Sequence, residues 1–257
     1  MYTYISSRTN PTVQLLAGLQ KKKFRIENGL FLVEGKKLCK EAVGRCKVRY
    51  AILLEGKDND EEMVSLCRES GGEIIVLSES AFRKISVDET PDGIALAAEI
   101  PDNTDNSFVG ERIVILDSVR DPGNVGTIVR SAAAFGFDRV VLCSCADIYN
   151  PKTVRATMGA LFKMKFTVAG DLCNISEGLK AEGRRIIAAA LGESALTLGE
   201  SPLASSDCVV IGNEGHGVSE ETLKCCTDVI KIPMTDKTES LNAAIAASVI
   251  MWEQSKA

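Results

Sequence analysis

A chain of 257 residues, 45% apolar and 25% charged, has the size and composition of a globular protein with one large or two smaller α/β domains. No apolar run is long enough to span a membrane, and the first residues lack a basic-then-apolar pattern, so we expect no secretory leader. Nine cysteines without a CxxC pair, beside a single histidine, argue against a disulfide framework and against a zinc site. We therefore expect a cytoplasmic protein with reduced cysteines, no membrane partner and no metal.

The net charge of −5 conceals an uneven distribution along the chain. Residues 1–50 hold 11 Lys and Arg against 3 Asp and Glu, whereas residues 51–100 hold 4 against 12. Such a local excess of positive charge is one way to build a site for a polyanion such as a nucleic acid. The alternative is that the two sets of charges interleave on the folded surface and cancel.

The first hundred residues alternate between helical and strand patterns, which predicts a small α/β domain at residues 1–100. Residues 101–111 are polar and lack periodicity, so they are the predicted linker. The predicted helices cover residues 12–19, 61–67 and 79–84, with another that carries Leu38 and Val43. The predicted strands cover residues 29–33, 48–54, 73–77 and 94–100.

A second domain, at residues 112–257, begins with a buried strand at residues 113–116, a glycine-bearing polar loop and a helix that ends at Gly136. Ligands bind at the carboxyl ends of strands in parallel α/β sheets. Three predicted strands end in polar or glycine-rich loops, at residues 117–126, 212–217 and 233–242. The remaining predicted strands are 139–145, 185–191, 208–211 and 229–232, and the remaining helices are 152–158, 171–182, one capped by Ser219, and one from Thr238 or Ser240 to Met251.

From the residues alone, each loop has more than one interpretation. The GNVG of the first loop is only part of a dinucleotide-binding pattern, so a nicotinamide-dependent oxidoreductase is a weak alternative. Arg130 either faces that loop from one turn inside the helix, or is a solvated arginine or a partner of Asp117 or Asp121. In the second loop Glu214 is a candidate anion, and His216 is either a general base or the filler of a left-handed turn. In the third loop Asn242 is either a helix cap or a ligand-binding residue.

The three loops carry motifs that match a known pattern: Asn124-x-Gly126-x-x-x-Arg130, then Gly212-Asn213-Glu214-Gly215-x-Gly217, then Ile232-Pro233-Met234 followed by Ser240-Leu241-Asn242. In this order, over residues 113–257, they resemble the signature motifs of the SpoU (TrmH) family of RNA ribose 2′-O-methyltransferases. Asp236 and the pair Ala243-Ala244 depart from the usual third motif. The N-terminal part resembles the ribosomal-protein-like substrate-binding domain of many members, at Asn10-Pro11, residues 31–35 and residues 90–93.

The resemblance implies a SPOUT fold, an α/β methyltransferase domain with a deep trefoil knot, preceded by a small α/β domain that binds the RNA substrate. Threading of this kind is otherwise almost absent from proteins, and it follows here only from the resemblance. The resemblance also implies a homodimer formed through the knotted domain, and S-adenosylmethionine bound in the knot. The cofactor-binding residues that it implies are Ala190, Leu191, Gly192, Gly212, Asn213, Gly217, Ile232, Pro233, Met234 and Leu241.

The implied reaction transfers a methyl group from S-adenosylmethionine to a ribose 2′-hydroxyl of RNA, either rRNA or tRNA. The enzyme must orient the hydroxyl and stabilise the developing alkoxide, which needs no metal. Because a guanidinium stays protonated, we assign Arg130 to holding the alkoxide or the adjacent phosphate. The residues predicted to position Arg130 and the ribose are Asn124, Glu214, Ser240 and Asn242.

Basic and polar residues are the candidates for RNA binding, since Lys and Arg neutralise phosphates without reading sequence. For the lysine run at residues 21–23 the alternative is a solvated helix end. Two other functions stay open, a catalytically silent RNA-binding module of the same fold and a nucleotide-cofactor oxidoreductase. The predicted RNA-binding residues are Arg8, Asn10, Lys21, Lys22, Lys23, Arg25, Lys36 and Arg155.

Overall fold

The structure, a computed structural model, describes residues 2–192 and 195–257. The chain forms two compact units: Met1–Pro101 joins Asp147–Phe162 in the first, and Asp102–Ala146 joins Lys163–Ala257 in the second. Each unit has its own sheet with helices, and the sheet of the second unit is entirely parallel, so the predicted α/β fold with a parallel sheet is confirmed. Within the described residues, no helix is long and apolar enough to cross a membrane.

The first unit contains a five-stranded sheet in the order β1-β4-β3-β5-β2. Strands β1, β4 and β3 run parallel, and β5 lies antiparallel to both β3 and β2. The elements are β1 (Thr3–Ile5), α1 (Pro11–Gly18), α2 (Lys22–Asn28), β2 (Leu30–Glu34), α3 (Lys36–Ala42), β3 (Val48–Leu54), α4 (Glu61–Glu69), β4 (Glu73–Leu77), α5 (Glu79–Ile85) and β5 (Ile94–Glu99).

The core of this unit lies between the sheet and the helices α1 and α5. Leu16, Phe82 and Ile75 are among its fully buried members. Helix α1 begins where expected, because the Asn10 side chain accepts a hydrogen bond from the Thr12 amide at 2.8 Å and Pro11 occupies the first turn. The pattern therefore identified the main elements, but it missed β1 and α2.

Residues 147–162, which the predicted boundaries assign to the second domain, pack within the first unit. They form α7 (Pro151–Ala156) and a 3-10 turn at Ala160–Phe162, and the Tyr149 ring lies 4.7 Å from that of Phe31. The Asp147 carboxylate accepts hydrogen bonds from Arg25 Nε at 3.0 Å and Nη2 at 2.6 Å. A third hydrogen bond runs from Arg25 Nη1 to the Leu19 carbonyl at 2.7 Å, so all three nitrogens of this buried guanidinium donate inside the unit.

The second unit contains a seven-stranded parallel sheet in the order β10-β12-β9-β11-β6-β7-β8. Both sheet faces are covered, so the central strands read as continuous apolar runs. Strand β8 was missed in the sequence. The elements are β6 (Ile113–Asp117), α6 (Pro122–Ala134), β7 (Arg139–Cys143), β8 (Lys165–Ala169), α8 (Cys173–Ala181), β9 (Ile186–Ala189), β10 (Leu196–Thr197), β11 (Cys208–Ile211), α9 (Glu220–Cys225), β12 (Asp228–Lys231) and α10 (Ala243–Gln254).

The predicted linker contains no helix or strand, but its residues from Asp102 onward pack in the second unit. Phe108 is buried, and the Arg139 guanidinium lies 5.4 Å from the centre of its ring. Arg139 also pairs with Asp105 at 2.9 Å and with Glu111 at 2.5 Å. Hydrogen bonds from Arg139 lower the pKa of Glu111, so at neutral pH the carboxylate is ionised and its ion pair with Arg139 ties this segment to β7.

One pair of cysteines is joined, which corrects the expectation that all of them are free. Cys173 of α8 and Cys225 of α9 form a disulfide with a Cα–Cα distance of 5.8 Å. These residues stand 52 positions apart, so only the packing of α8 against α9 brings them together. The other seven cysteines are free, and burial raises the pKa of Cys145 to about 12, so this thiol stays protonated at neutral pH.

Candidate active site

The first of the three predicted loops turns sharply where β6 ends. Ser118 has a left-handed backbone with φ of 58°, a conformation that costs a residue other than glycine about 1 kcal/mol. The turn is held by the Ser118 amide, which donates to the Cys143 carbonyl at 2.8 Å. Asp121 then caps α6 by accepting a hydrogen bond from the Asn124 amide at 2.8 Å. This cap places Asn124 in the first turn of α6, at the carboxyl end of the sheet.

The second loop is a closed turn at the end of β11. Asn213 and Gly217 exchange backbone hydrogen bonds of 2.8 and 2.9 Å. Inside the turn, Asn213 Oδ1 accepts from the amides of Gly215 and His216, while its Nδ2 donates to the Ser118 carbonyl at 2.8 Å. Asn213 therefore shapes its own loop and joins it to the first one.

The Glu214 carboxylate lies against the turn between β6 and α6. It accepts hydrogen bonds from the Arg120 amide at 3.2 Å, the Asp121 amide at 3.0 Å and Asn124 Nδ2 at 2.9 Å. Partial burial alone would raise the pKa of Glu214, but these hydrogen bonds outweigh it and hold the pKa below its ordinary value. Glu214 is thus an ionised acceptor at neutral pH.

Asn124 connects Glu214 to the third loop. Its Nδ2 faces the Glu214 carboxylate, so its Oδ1 faces away and accepts a hydrogen bond from Asn242 Nδ2 at 3.0 Å. Asn242 Oδ1 in turn caps α10, accepting from the amides of Ala244 at 2.9 Å and Ile245 at 3.3 Å. Since a carboxylate only accepts, it orients both amides along the chain Glu214–Asn124–Asn242. The three predicted loops therefore meet in one hydrogen-bonded chain.

Two of the predicted catalytic residues stand outside this chain. Arg130 is exposed on α6 and pairs with no carboxylate among the described residues. Its guanidinium is therefore available for an anionic group of a ligand. Ser240 is also exposed, and its carbonyl accepts a hydrogen bond from the Thr238 hydroxyl at 3.1 Å. The final helix begins at Ala243, later than predicted, because Asn242 is its cap.

A cavity of about 440 Å³ lies beside the chain of hydrogen bonds, in the size range of pockets for organic ligands. Most of the predicted cofactor-binding residues line it, whereas Gly192 and Pro233 are absent from the described lining. Sequence reasoning missed the apolar floor from Ile211 and Ile230 and a wall from α10. The helical spacing of Ala243, Ala246 and Ile250 was the available signal for that wall. The predicted residues on the lining are Ala190, Leu191, Gly212, Asn213, Glu214, Gly217, Ile232, Met234, Ser240 and Leu241.

Gly212 is the residue whose replacement the cavity tolerates least. A Cβ atom there would lie 2.2 Å from the Gly217 carbonyl carbon and 2.3 Å from the Val218 nitrogen, both backbone atoms. We expect Gly212→Ala to lower the free energy of unfolding by about 2–3 kcal/mol and to open the turn, as overpacking does elsewhere. Urea denaturation measures the first effect. Gly215→Ala is the matched control, because its Cβ would meet only Asn213 Oδ1 at 3.6 Å, and equal losses in both variants would contradict the prediction.

The basic residues predicted to bind RNA fall into two groups in the first unit. Arg8, Lys21, Lys22 and Lys23 are exposed, and only Lys23 approaches a carboxylate of the described residues, that of Glu27 at 3.7 Å. Asn10 is occupied as the cap of α1, and Lys36 pairs with Glu62 at 2.7 Å. The exposed group keeps its positive charge available for a polyanion.

Of the predicted RNA contacts, Arg25 is corrected, and Arg155 is already paired within the first unit. The Arg25 side chain is 2% exposed and bound to Asp147, so its charge does not reach solvent. Arg155 pairs with Asp88 and lies 3.9 Å from Glu34, and its Nη2 is buried without a hydrogen bond. The Arg25 charge is thus used inside the first unit, a role that the residue type alone does not reveal, whereas Arg155, with 43% of its side chain exposed, stays a prediction as an RNA contact.

Fold and site together define an α/β domain with a ligand-sized cavity at the carboxyl ends of its parallel strands. Two family models match the chain. The SpoU rRNA Methylase family model matches residues 111–252, and the MRM3-like substrate binding domain model matches residues 10–96. The chain belongs to the SpoU rRNA methylase family. The predicted resemblance and the predicted methyltransferase class are confirmed.

Relatives resemble the chain over nearly its whole length. The 23S rRNA (guanosine(2553)-2′-O)-methyltransferase RlmP of Bacillus subtilis is 34% identical, over 96% of this chain and 97% of its own. The structure of a putative RNA methyltransferase of the TrmH family from Porphyromonas gingivalis superposes with a TM-score of 0.86 at 30% identity, covering 96% and 97% of the two chains. An AdoMet-bound rRNA methyltransferase from Sinorhizobium meliloti has a TM-score of 0.88 at 28% identity, covering 99% and 98%.

Proposed function

We propose that this protein transfers a methyl group from S-adenosylmethionine to a ribose 2′-hydroxyl of ribosomal RNA. The observation that carries the proposal is the chain Glu214–Asn124–Asn242, which joins all three signature motifs beside a ligand-sized cavity. The whole-length similarity to RlmP, whose name specifies ribosomal RNA, favours rRNA over tRNA as the substrate. The cytoplasm remains the predicted location.

The cavity suits a cofactor with an apolar body and polar edges. Ile211, Ile230 and Ile250 supply apolar walls, and Gly212 admits no side chain because the backbone of Gly217 and Val218 packs directly against it. Residues 190, 191, 212, 213, 217, 232, 234 and 241 of the lining would hold S-adenosylmethionine. When bound, S-adenosylmethionine supplies a methyl group already activated by its sulfonium. Gly192 and Pro233 stay predictions as cofactor contacts.

The protein's own task is to orient the ribose and to stabilise charge on its hydroxyl oxygen. In this proposal Arg130 donates hydrogen bonds to the developing alkoxide or to the neighbouring phosphate, and it has no competing carboxylate partner among the described residues. Glu214 fixes the amide of Asn124, which in turn fixes Asn242 at the start of α10. We assign Ser240, which is exposed on the cavity lining, to a contact with the ribose.

The proposal includes a trefoil knot and a homodimer formed through the knotted unit. Two features support the knot: β12 lies beyond β9 in the sheet, and the following α10 returns to pack on α6 and β11. An apolar stripe on α10 supports the dimer. Ile245, Val249 and Trp252 lie on one face of that helix, and they are 54%, 36% and 52% exposed.

The dimer is tested by placing a charge in the stripe. Trp252→Glu is expected to convert the protein to a monomer, because burying a carboxylate in an apolar contact would oppose association. Sedimentation velocity measures the oligomeric state. Val168→Glu, at an exposed apolar residue of β8, is the matched control and should leave the dimer intact. A dimeric Trp252→Glu protein would place the interface elsewhere.

The proposed RNA-binding surface at the lysine run can be tested quantitatively. We expect the combined change of Lys21, Lys22 and Lys23 to alanine to weaken RNA binding. The salt slope, which is the slope of the logarithm of the binding constant against the logarithm of the salt concentration, should become shallower by roughly 0.7 for each lost phosphate contact. Binding is measured by fluorescence anisotropy at several salt concentrations. Lys47→Ala removes an exposed lysine that pairs with Glu99 at 2.9 Å, so it serves as the control. An unchanged slope in the triple variant would count against this surface.

Calorimetric titration of the purified protein with S-adenosylmethionine, and separately with NAD, tests the proposed function. Binding of S-adenosylmethionine alone is the expected result. Binding of NAD alone would support the oxidoreductase alternative. If neither binds, repeating the titration with total RNA present separates a cofactor site that requires RNA from a catalytically silent RNA-binding module.

A further inference from the structure

An aromatic side chain of the first unit lies exposed beside the lysine run. Phe24 lies on α2 between the charged residues Lys23 and Arg25, and it is 37% exposed. Its ring packs so closely against Gly18 that a Cβ atom at residue 18 would lie only 2.4 Å from Phe24 Cδ1. Glycine at residue 18 therefore lets the ring pack close to the end of α1.

Hydrogen bonds link three basic segments of the sequence around α1, which carries this ring's contact at Gly18. The Lys21 amide donates to the Gly18 carbonyl at 2.8 Å. The lysine run therefore starts beside Gly18, the residue against which the Phe24 ring packs. Gln20 Nε2 approaches the carbonyls at the end of α5, the shortest contact being 3.1 Å to Ile85. Lys84, at that helix end, donates its Nζ to the Arg8 carbonyl at 2.9 Å. We call Arg8, Lys21, Lys22, Lys23 and Lys84 the basic corner.

The basic corner is not neutralised by its surroundings. Among the described residues, Arg8, Lys21, Lys22 and Lys84 form no ion pair with a carboxylate. Lys23 approaches Glu27 at 3.7 Å with 81% of its side chain exposed, and an exposed pair of this kind contributes little. Lys84 was not predicted from the sequence as an RNA contact, and only the packing of α5 against α1 brings it here.

We infer that Phe24 stacks on an unpaired RNA base while the basic corner binds the flanking phosphates. Lysines alone bind any polyanion, but an exposed ring beside them suits a strand whose base faces are free. In a duplex those faces are covered by neighbouring base pairs, so the ring would gain nothing from double-stranded RNA. This inference rests on the proposed function, since it specifies single-stranded RNA as the form that the enzyme engages.

The test uses the full chain with one reporter. Trp252 is the only tryptophan, so Phe24→Trp in a Trp252→Phe background places a single fluorophore at residue 24. The probes are a mixed-sequence single-stranded RNA and the same strand annealed to its complement. Stacking predicts quenching by the single strand and little change with the duplex. No quenching by the single strand, or equal quenching by both, would overturn the inference.

Affinity provides the second measurement. Phe24→Ala is expected to weaken binding of the single-stranded RNA about 10-fold, the size of losing one stacked base. Ile26→Ala is the matched control, because Ile26 is 68% exposed on the same helix and lies about 160° round the helix from Phe24. Equal affinities for the two variants would also overturn the inference.

Methyl transfer by the unaltered protein separates this inference from the proposed function. Transfer to RNA, together with a reporter at residue 24 that single-stranded RNA does not quench, would remove the stacking role and leave the enzyme assignment intact. Absence of transfer from a protein that binds S-adenosylmethionine and RNA would reject the proposed function whatever the reporter shows. With both correct, Phe24→Ala should raise KM for RNA and leave kcat nearly unchanged.

Discussion

Replacing Arg130 with alanine is expected to lower the rate of methyl transfer about 100- to 1,000-fold, the range found when a donor to a developing oxyanion is removed. The physical reason is that Arg130 is the exposed cation of α6, with no ion-pair partner among the described residues, one helix turn beyond the signature glycine of the first motif. The dissociation constant for S-adenosylmethionine should change little, because Arg130 lies outside the described cavity lining. Single-turnover transfer and calorimetry measure the two quantities.

Two control variants separate geometry from charge in this experiment. Arg130→Lys keeps the positive charge but loses the planar fork of the guanidinium, so we expect a rate between those of the unaltered protein and the alanine variant. Lys180→Ala removes an exposed cation from α8 in the same unit and should leave the rate unchanged. An Arg130→Ala protein with normal transfer would rule out the assigned role.

Replacing Asp147 with asparagine is expected to destabilise the first unit by about 3 kcal/mol. The change removes the negative charge that pairs with the Arg25 guanidinium, whose side chain is 2% exposed. Breaking one partner of a buried ion pair leaves an uncompensated charge, a penalty of about 3–5 kcal/mol. We take the lower end because Asp147 itself is 16% exposed. Urea denaturation with hydrogen exchange at the amides of the first unit measures the loss.

The exposed pair of Arg83 and Glu79 is the control for this prediction. These residues lie four apart on α5 at 3.0 Å, with 60% and 71% of their side chains exposed. Glu79→Gln should therefore cost less than about 0.5 kcal/mol. If Asp147→Asn costs no more than Glu79→Gln, the ion pair does not hold residues 147–162 in the first unit.

Local pattern predicted the elements whose chemistry is local. Strands β3, β4 and β11 match their predicted bounds, because each is a short apolar run between clear turn signals. The short β1 has two exposed residues out of three, so its pairing with β4 leaves almost no signal in sequence. The placement of residues 147–162 was missed for another reason. It depends on the contact of Asp147 with Arg25, 122 positions away, which periodicity does not report.

For the candidate site, the motifs predicted which loops meet but not how they are joined. The capping role of Asn242 was foreseen as one alternative, and the structure adds its hydrogen bond to Asn124. Glu214 was foreseen as an anion, yet its partners are two backbone amides and the Asn124 side chain, all 90 or more positions earlier. Arg25 shows where a charge pattern misleads, since it lies in a basic run and yet is buried. Residue type indicates charge, whereas burial decides whether that charge is available to RNA.

The most direct test of the central claim is the position of the transferred methyl group. Ribosomal RNA from cells lacking this protein would be incubated with the purified protein and isotopically labelled S-adenosylmethionine, digested to nucleosides and analysed by mass spectrometry. The proposed function predicts label in a single nucleoside, on its ribose 2′-oxygen, and none with Arg130→Ala. Label on a base, or no label from a protein that binds both S-adenosylmethionine and RNA, would contradict it.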